Sequence, residues 1–174
     1  MRAKLAGLIL FSVLTAAQAQ AKEAQSQFTS PDYYDNRTSA RDVLVSYYNA
    51  INLGQYARAY SYRLRGTPAM DAASLNDDYA SFRDGYVDID HVRVRMGEGF
   101  SDAGVGRFMT AIPVVIEAVS GAGGQAHFAG CHSLVQLSPS AQDAVPFDPI
   151  RMDHTQMQGV EGDFLSIPMP DCRF

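Results

Sequence analysis

The chain has 174 residues, 47% of them apolar and 19% charged, and a formal charge of −5. That length suits one domain, and the composition excludes a largely disordered chain. Two cysteines are too few for a disulfide-dense mini-scaffold, and the acidic balance disfavours nucleic acid as a partner.

Arg2 and Lys4 precede an uncharged, mostly apolar run from Leu5 to Ala17, and Ala17-Gln18-Ala19 follows. This is the three-part pattern of a secretory signal peptide, expected at 1–19. The apolar run is short of the roughly 20 residues that span a bilayer. No cysteine adjoins the cleavage point to carry a lipid, and no comparable apolar run recurs later. The mature protein is therefore expected in the periplasm, or else secreted, without a membrane span. Asn36-Arg37-Thr38 forms a glycosylation triplet, a pattern common enough by chance to carry little weight. Residues 20–37 are polar and lack an apolar period, so they are expected to form a flexible leader, with Tyr33 and Tyr34 as its docking points.

The expected folded unit is 38–174. Ser39 can cap a helix, with Asp42 as an acidic first-turn partner. Val43, Tyr47 and Ile51 recur every four residues, Leu44 and Tyr48 make an adjoining row, and Gly54 ends the helix. A short second helix is expected at 55–64. After a break at Gly66-Thr67-Pro68, Ser74 can cap a third, with Leu75, Tyr79, Phe82 and Tyr86 on one face. From Gly85 onward the texture becomes that of strands, at 87–96, 107–119, 125–137 and 149–160. In the second, Phe108, Ile112 and Val114 alternate with Arg107, Ala111 and Val115. Pro113 interrupts it, so a bulge or an edge is expected there. Gly121-Ala122-Gly123-Gly124-Gln125-Ala126 formally matches a phosphate-binding pattern. Because a strand follows it rather than a helix, it reads as a hairpin turn. The layout is α+β: three N-terminal helices packed in the concave face of a strongly bent antiparallel sheet of about four strands.

Tyr47-Tyr48-Asn49-Ala50-Ile51-Asn52 and Gln55-Tyr56-Ala57-Arg58-Ala59-Tyr60 carry a resemblance. Together with Gly85-Tyr86, Ile112-Pro113-Val114 and Phe128-Ala129-Gly130-Cys131, they resemble the nuclear transport factor 2-like superfamily over most of 38–160. The resemblance implies a cone, with helices closing the mouth of a curved sheet around an apolar cavity. Members include isomerases, dehydratases, cyclases and secretion-system scaffolds, and the fold does not choose among them.

Cys131 and Cys172 form an even pair, and in an oxidising compartment such a pair joins. The bond would tie the tail, 163–174, back to the third strand, and closing that loop contributes about 4 kcal/mol in the chain-entropy model. The histidines are His91, His127, His132 and His154. None falls in a metal-ligand spacing, and His127 and His132, five apart on a strand, point to opposite faces. No metal and no cofactor is expected.

Acid–base work in the cone would need an inward carboxylate or imidazole beside a tyrosine such as Tyr47, Tyr48 or Tyr60. Candidates are Asp88, Asp90, His91, His132 and His154, although Asp88 and Asp90 also suit a solvated strand start. The ligand pocket is expected at Tyr47, Tyr60, Phe108, Ile112 and Val114, with Ala111 and Ala118 as positions where a larger residue would fill it. The leading reading is a non-enzymatic exported domain that binds a small apolar or amphipathic ligand or an envelope protein. Two alternatives stay open: a homodimeric scaffold of an envelope assembly, and a cofactor-independent lyase, isomerase or cyclase. The second of these predicts an inward Asp or His beside a Tyr, with a shifted pKa.

Overall fold

The computed structural model describes residues 32–63, 72–142, 147 and 149–173, with the backbone alone at 72 and 73. The expected signal peptide, most of the expected leader and the break at 66–68 lie outside the described residues. The helices are α1 (Ala40–Asn52), α2 (Tyr56–Ser61) and α3 (Ala72–Asp84). The strands are β1 (Ile89–Met96), β2 (Phe100–Gly104), β3 (Arg107–Ser120), β4 (Gln125–Leu137) and β5 (Arg151–Val160). The three helices thus precede one curved antiparallel sheet in the order β1-β3-β4-β5, with β2 also on β3.

Local chemistry accounts for the first helix. Ser39 Oγ accepts the Asp42 amide at 3.1 Å, and the Asp42 carboxylate takes the Ser39 and Thr38 hydroxyls at 2.6 and 2.9 Å. Gly54, at φ 64°, turns the chain out of α1 in the left-handed conformation. The periodicity of α3 also holds, since Leu75, Tyr79, Phe82 and Tyr86 all pack on the core. Its start differs: the helix begins at Ala72, which places Ser74 inside the first turn rather than at the cap.

The sheet has five strands, not four. β2 is exposed along its length and contains Asp102 and Gly104, so its sequence carries no apolar alternation. It pairs with the first half of β3, Phe100 opposite Ala111, while β1 takes the second half, from Met96 opposite Val114. Pro113 lies where one neighbour ends and the other begins. Its carbonyl accepts the Gly97 amide at 2.9 Å, so its missing N–H also faces that break. Of the bulge or edge expected at Pro113, β3 shows the edge, a local gap between β2 and β1, and the register shifts fall in β1 near Ile89–His91 and between β4 and β5 at Ser133/Leu134. Such shifts bend and twist a sheet.

The concave face receives α1. Val43, Leu44, Tyr47, Tyr48 and Ile51 meet Val92, Val94, Ile112, Val114 and Leu134 in one core. Asn52 fixes the end of α1 to β1, since its amide both accepts from the Val92 N–H at 2.7 Å and donates to the Val92 carbonyl at 2.9 Å. Residues 32–37 run along the back of α1. Asn49 takes the Tyr34 amide at 2.9 Å and donates to the Asp32 carbonyl at 2.8 Å, and Ser46 receives the Asn36 amide at 2.8 Å. These bonds satisfy the two polar residues buried in α1.

On the convex face, Phe164 and Ile167 of the tail cover Val115. Arg95 donates to the carbonyls of Phe164 and Ile167 at 2.6 and 3.0 Å, and the Arg93 guanidinium lies 4.7 Å above the Phe164 ring. A disulfide joins Cys131 of β4 to Cys172.

Candidate functional site

A cavity of about 380 Å³ opens between α1, the end of α3 and the concave face of the sheet. Its walls are apolar, including Ile89, Val92, Ile116, Phe128, Met152 and Met157. They come from both ends of the strands because alternate residues of each strand share the inner face.

Two polar groups interrupt those walls. The first is a relay across the sheet. Tyr48, from α1, places its hydroxyl 2.6 Å from Nε2 of His132. Nδ1 of His132 lies 2.9 Å from the Thr155 hydroxyl, and β4–β5 register sets those two residues directly opposite. His132 is only 2% exposed, and burial pushes its pKa down to about 4. The imidazole is neutral near pH 7, so one ring nitrogen donates and the other accepts. The second group is the Tyr47 hydroxyl, 2.7 Å from that of Tyr86. Burial raises the pKa of Tyr47 well above its ordinary value, with the neighbouring Tyr86 and Tyr48 adding to the effect, and it raises that of Tyr86 as well. Burial acts in the same direction on Tyr48. The rings hold one another: Tyr47 meets Tyr48 edge-on at 4.9 Å, and Phe82 lies 5.2 Å from Tyr86.

Arg63 lines the same cavity, with its guanidinium carbon 5.0 Å above the Phe82 ring. No carboxylate is among the described lining residues. The site is thus a set of neutral hydroxyls and one imidazole beside a single cation. It can hydrogen-bond a ligand and pass a proton along Tyr48, His132 and Thr155. Among the described residues no three His, Cys, Asp or Glu side chains converge as a metal site would require.

Of the residues singled out from sequence, the cavity brings together Tyr47, Tyr48 and His132, and Ala118 also lines it. The remaining acid–base candidates lie elsewhere. Asp88 is exposed in the turn after α3, and Asp90 pairs with His91 at 2.9 Å away from the cavity. His154 is exposed on β5. Tyr60 is buried, but its hydroxyl donates to Asp78. Val114 is sealed in the core, and Ile112 contributes to a separate hollow of about 350 Å³ near the start of α1. Phe108, expected inside the cone, is 45% exposed and borders that second hollow. Ala111 lies one step out of the inward alternation, so enlarging it would not fill the cavity. Tyr86, Thr155 and Arg63 were not read as site residues. Tyr86 stands out in the sequence only in a helical stripe and in the Gly85-Tyr86 pair of the family resemblance, while Thr155 and Arg63 depend on strand register and the path after α2.

No protein-family model and no curated protein matches the sequence. Among solved structures the chain is similar to a protein of Novosphingobium aromaticivorans, provisionally described as a scytalone dehydratase. The two are 7% identical with a TM-score of 0.48, over 74% of this chain and 87% of that one. A likeness at that level assigns no activity.

Proposed function

We propose that this chain is an exported, nuclear transport factor 2-like domain that binds one small, ring-bearing molecule between its helices and its sheet. The observation that carries the reading is the cavity: apolar walls with a few convergent hydrogen-bonding groups, the usual make-up of a small-molecule site. The export reading rests on the signal-like first residues and the Cys131–Cys172 bond. The test is native mass spectrometry of the mature protein from its host's exported fraction, repeated with Ala118→Trp. A small-molecule adduct present on the wild type and absent from the folded variant is the expected result. An adduct carried equally by both would remove the cavity from consideration.

A second reading is cofactor-independent proton transfer, favoured by the Tyr48–His132–Thr155 chain. Tyr48 would be the contact group, giving a hydrogen bond or a proton to an oxygen of the ligand while His132 resupplies it. His132, with its low pKa, stays neutral: it would pass its Nε2 proton to Tyr48 as Nδ1 takes one from the exposed Thr155 hydroxyl, which solvent restores. Incubating the bound ligand in deuterated water distinguishes the two readings. Exchange that disappears in His132→Gln supports transfer, and absence of exchange with the wild type leaves a binding site only.

A further inference from the structure

The cavity leaves hydroxyl hydrogens unused beside a cation, and together they indicate what the ligand carries. Tyr47 and Tyr86 share two hydroxyl hydrogens but make one bond between them, so one hydrogen is left over. Tyr48, neutral His132 and Thr155 hold three hydrogens for two bonds, so another is left over. Arg63 adds a cation. Its backbone is fixed, with the amide donating to the Tyr60 carbonyl at 3.1 Å and an isolated bridge to Met152. Its guanidinium lies over Phe82, whose ring touches both Tyr47 and Tyr86. The positive charge is felt at both tyrosine hydroxyls, where it opposes the upward push of burial. Arg37, Arg83, Arg93 and Arg173 each face a carboxylate. Among the described residues none stands within ion-pair distance of Arg63. The site therefore offers hydroxyls that can donate or accept, beside a donor-only cation with no carboxylate partner among the described residues, and that cation favours a ligand with acceptor oxygens and negative charge.

Resting on the small-molecule reading above, we propose that the ligand is a ring-bearing carboxylate. Its carboxylate lies between Arg63 and the Tyr47–Tyr86 hydroxyl pair, and its ring lies against the apolar walls. A charge-assisted bond from Arg63 to a carboxylate is stronger than a neutral one to its amide isostere, so the cation separates the two.

The test is calorimetric titration at pH 7.5 with matched one- and two-ring carboxylates and their carboxamides, led by 2-naphthoate and 2-naphthamide. The expected result is carboxylates about tenfold tighter than their amides, as one charge-assisted hydrogen bond provides. In Arg63→Gln that preference should fall to about twofold or less while amide binding is unchanged. Equal binding of acids and amides to the wild type overturns this inference and leaves the cavity reading standing. A preference that survives in Arg63→Gln overturns the role of Arg63. If no member of either series binds, the carboxylate inference falls, and the adduct comparison with Ala118→Trp alone decides the cavity.

Discussion

His132 has both ring nitrogens bonded and almost no contact with water, so its proton balance differs between the folded and unfolded chain. Burial lowers its pKa from 6.5 to about 4. Between those values the unfolded chain takes up a proton that the native chain refuses, so stability falls with falling pH. The contribution is whole above pH 6.5 and is lost by about pH 4, a loss of about 3 kcal/mol. Asp42 acts in a lower window. Its hydrogen bond from Ser39, against burial and helped by Thr38 and Tyr34, holds its carboxyl below 3.8. Its contribution is whole above that value and is lost only as pH falls further. In His132→Gln the slope of urea stability between pH 6.5 and 4 should flatten while the steeper loss below remains. An unchanged slope would mean that His132 is not buried in its neutral form. The sequence put His132 among its candidates because of residue type alone. Four histidines look alike on paper. Only the bend of β4 and its register with β5 decide that His132 faces Thr155 and Tyr48 while His127 faces Glu117 on the other side.

The helices were legible because their apolar period is local: Val43, Tyr47 and Ile51 record which face of α1 is buried. The back of the same helix was not legible, because Ser46 and Asn49 are buried by residues 32–37, a contact no period records. The long strands were equally plain, but β2 and the course of β3 through Pro113 depend on which partner lies alongside. Gly130 shows the same dependence. A Cβ there would stand 1.9 Å from the Gln156 carbonyl oxygen and 2.8 Å from the Met157 Cα. Both obstacles are backbone of the adjacent strand, so β4 and β5 would have to part. Gly130→Ala should therefore cost about 1–3 kcal/mol or more, the range for forced overpacking. Gly159→Ala, on β5 with open space around its Cβ position, is the matched control and should be close to neutral. Equal melting temperatures for the two variants would refute the close approach. Because Met157 lines the cavity, the first variant should also weaken ligand binding.

The tail beyond β5 raises the question of what holds it on the convex face. Phe164 and Ile167 are buried there and contribute roughly 1.5–3 kcal/mol each. Arg95 adds its two carbonyl contacts. Against this stands the conformational entropy lost in ordering residues 161–173. The Cys131–Cys172 bond adds to these contacts by restricting the unfolded chain. Its loop spans a sequence separation of 41 residues, for which chain entropy gives about 4 kcal/mol. Reduction should then do two things at once. It should lower the urea midpoint by the equivalent of about 2–4 kcal/mol, and it should let a protease trim the C-terminus back toward Val160 while the core stays folded. Among the described residues none of this strap lines the cavity, so ligand binding by the reduced, trimmed protein should persist at concentrations where it remains native. A tail that resists proteolysis equally with and without reductant would show that packing alone retains it. Loss of ligand binding in step with trimming would show that the convex face supports the cavity through the sheet, by way of β3, where Val115 and Ile116 are neighbours on opposite faces.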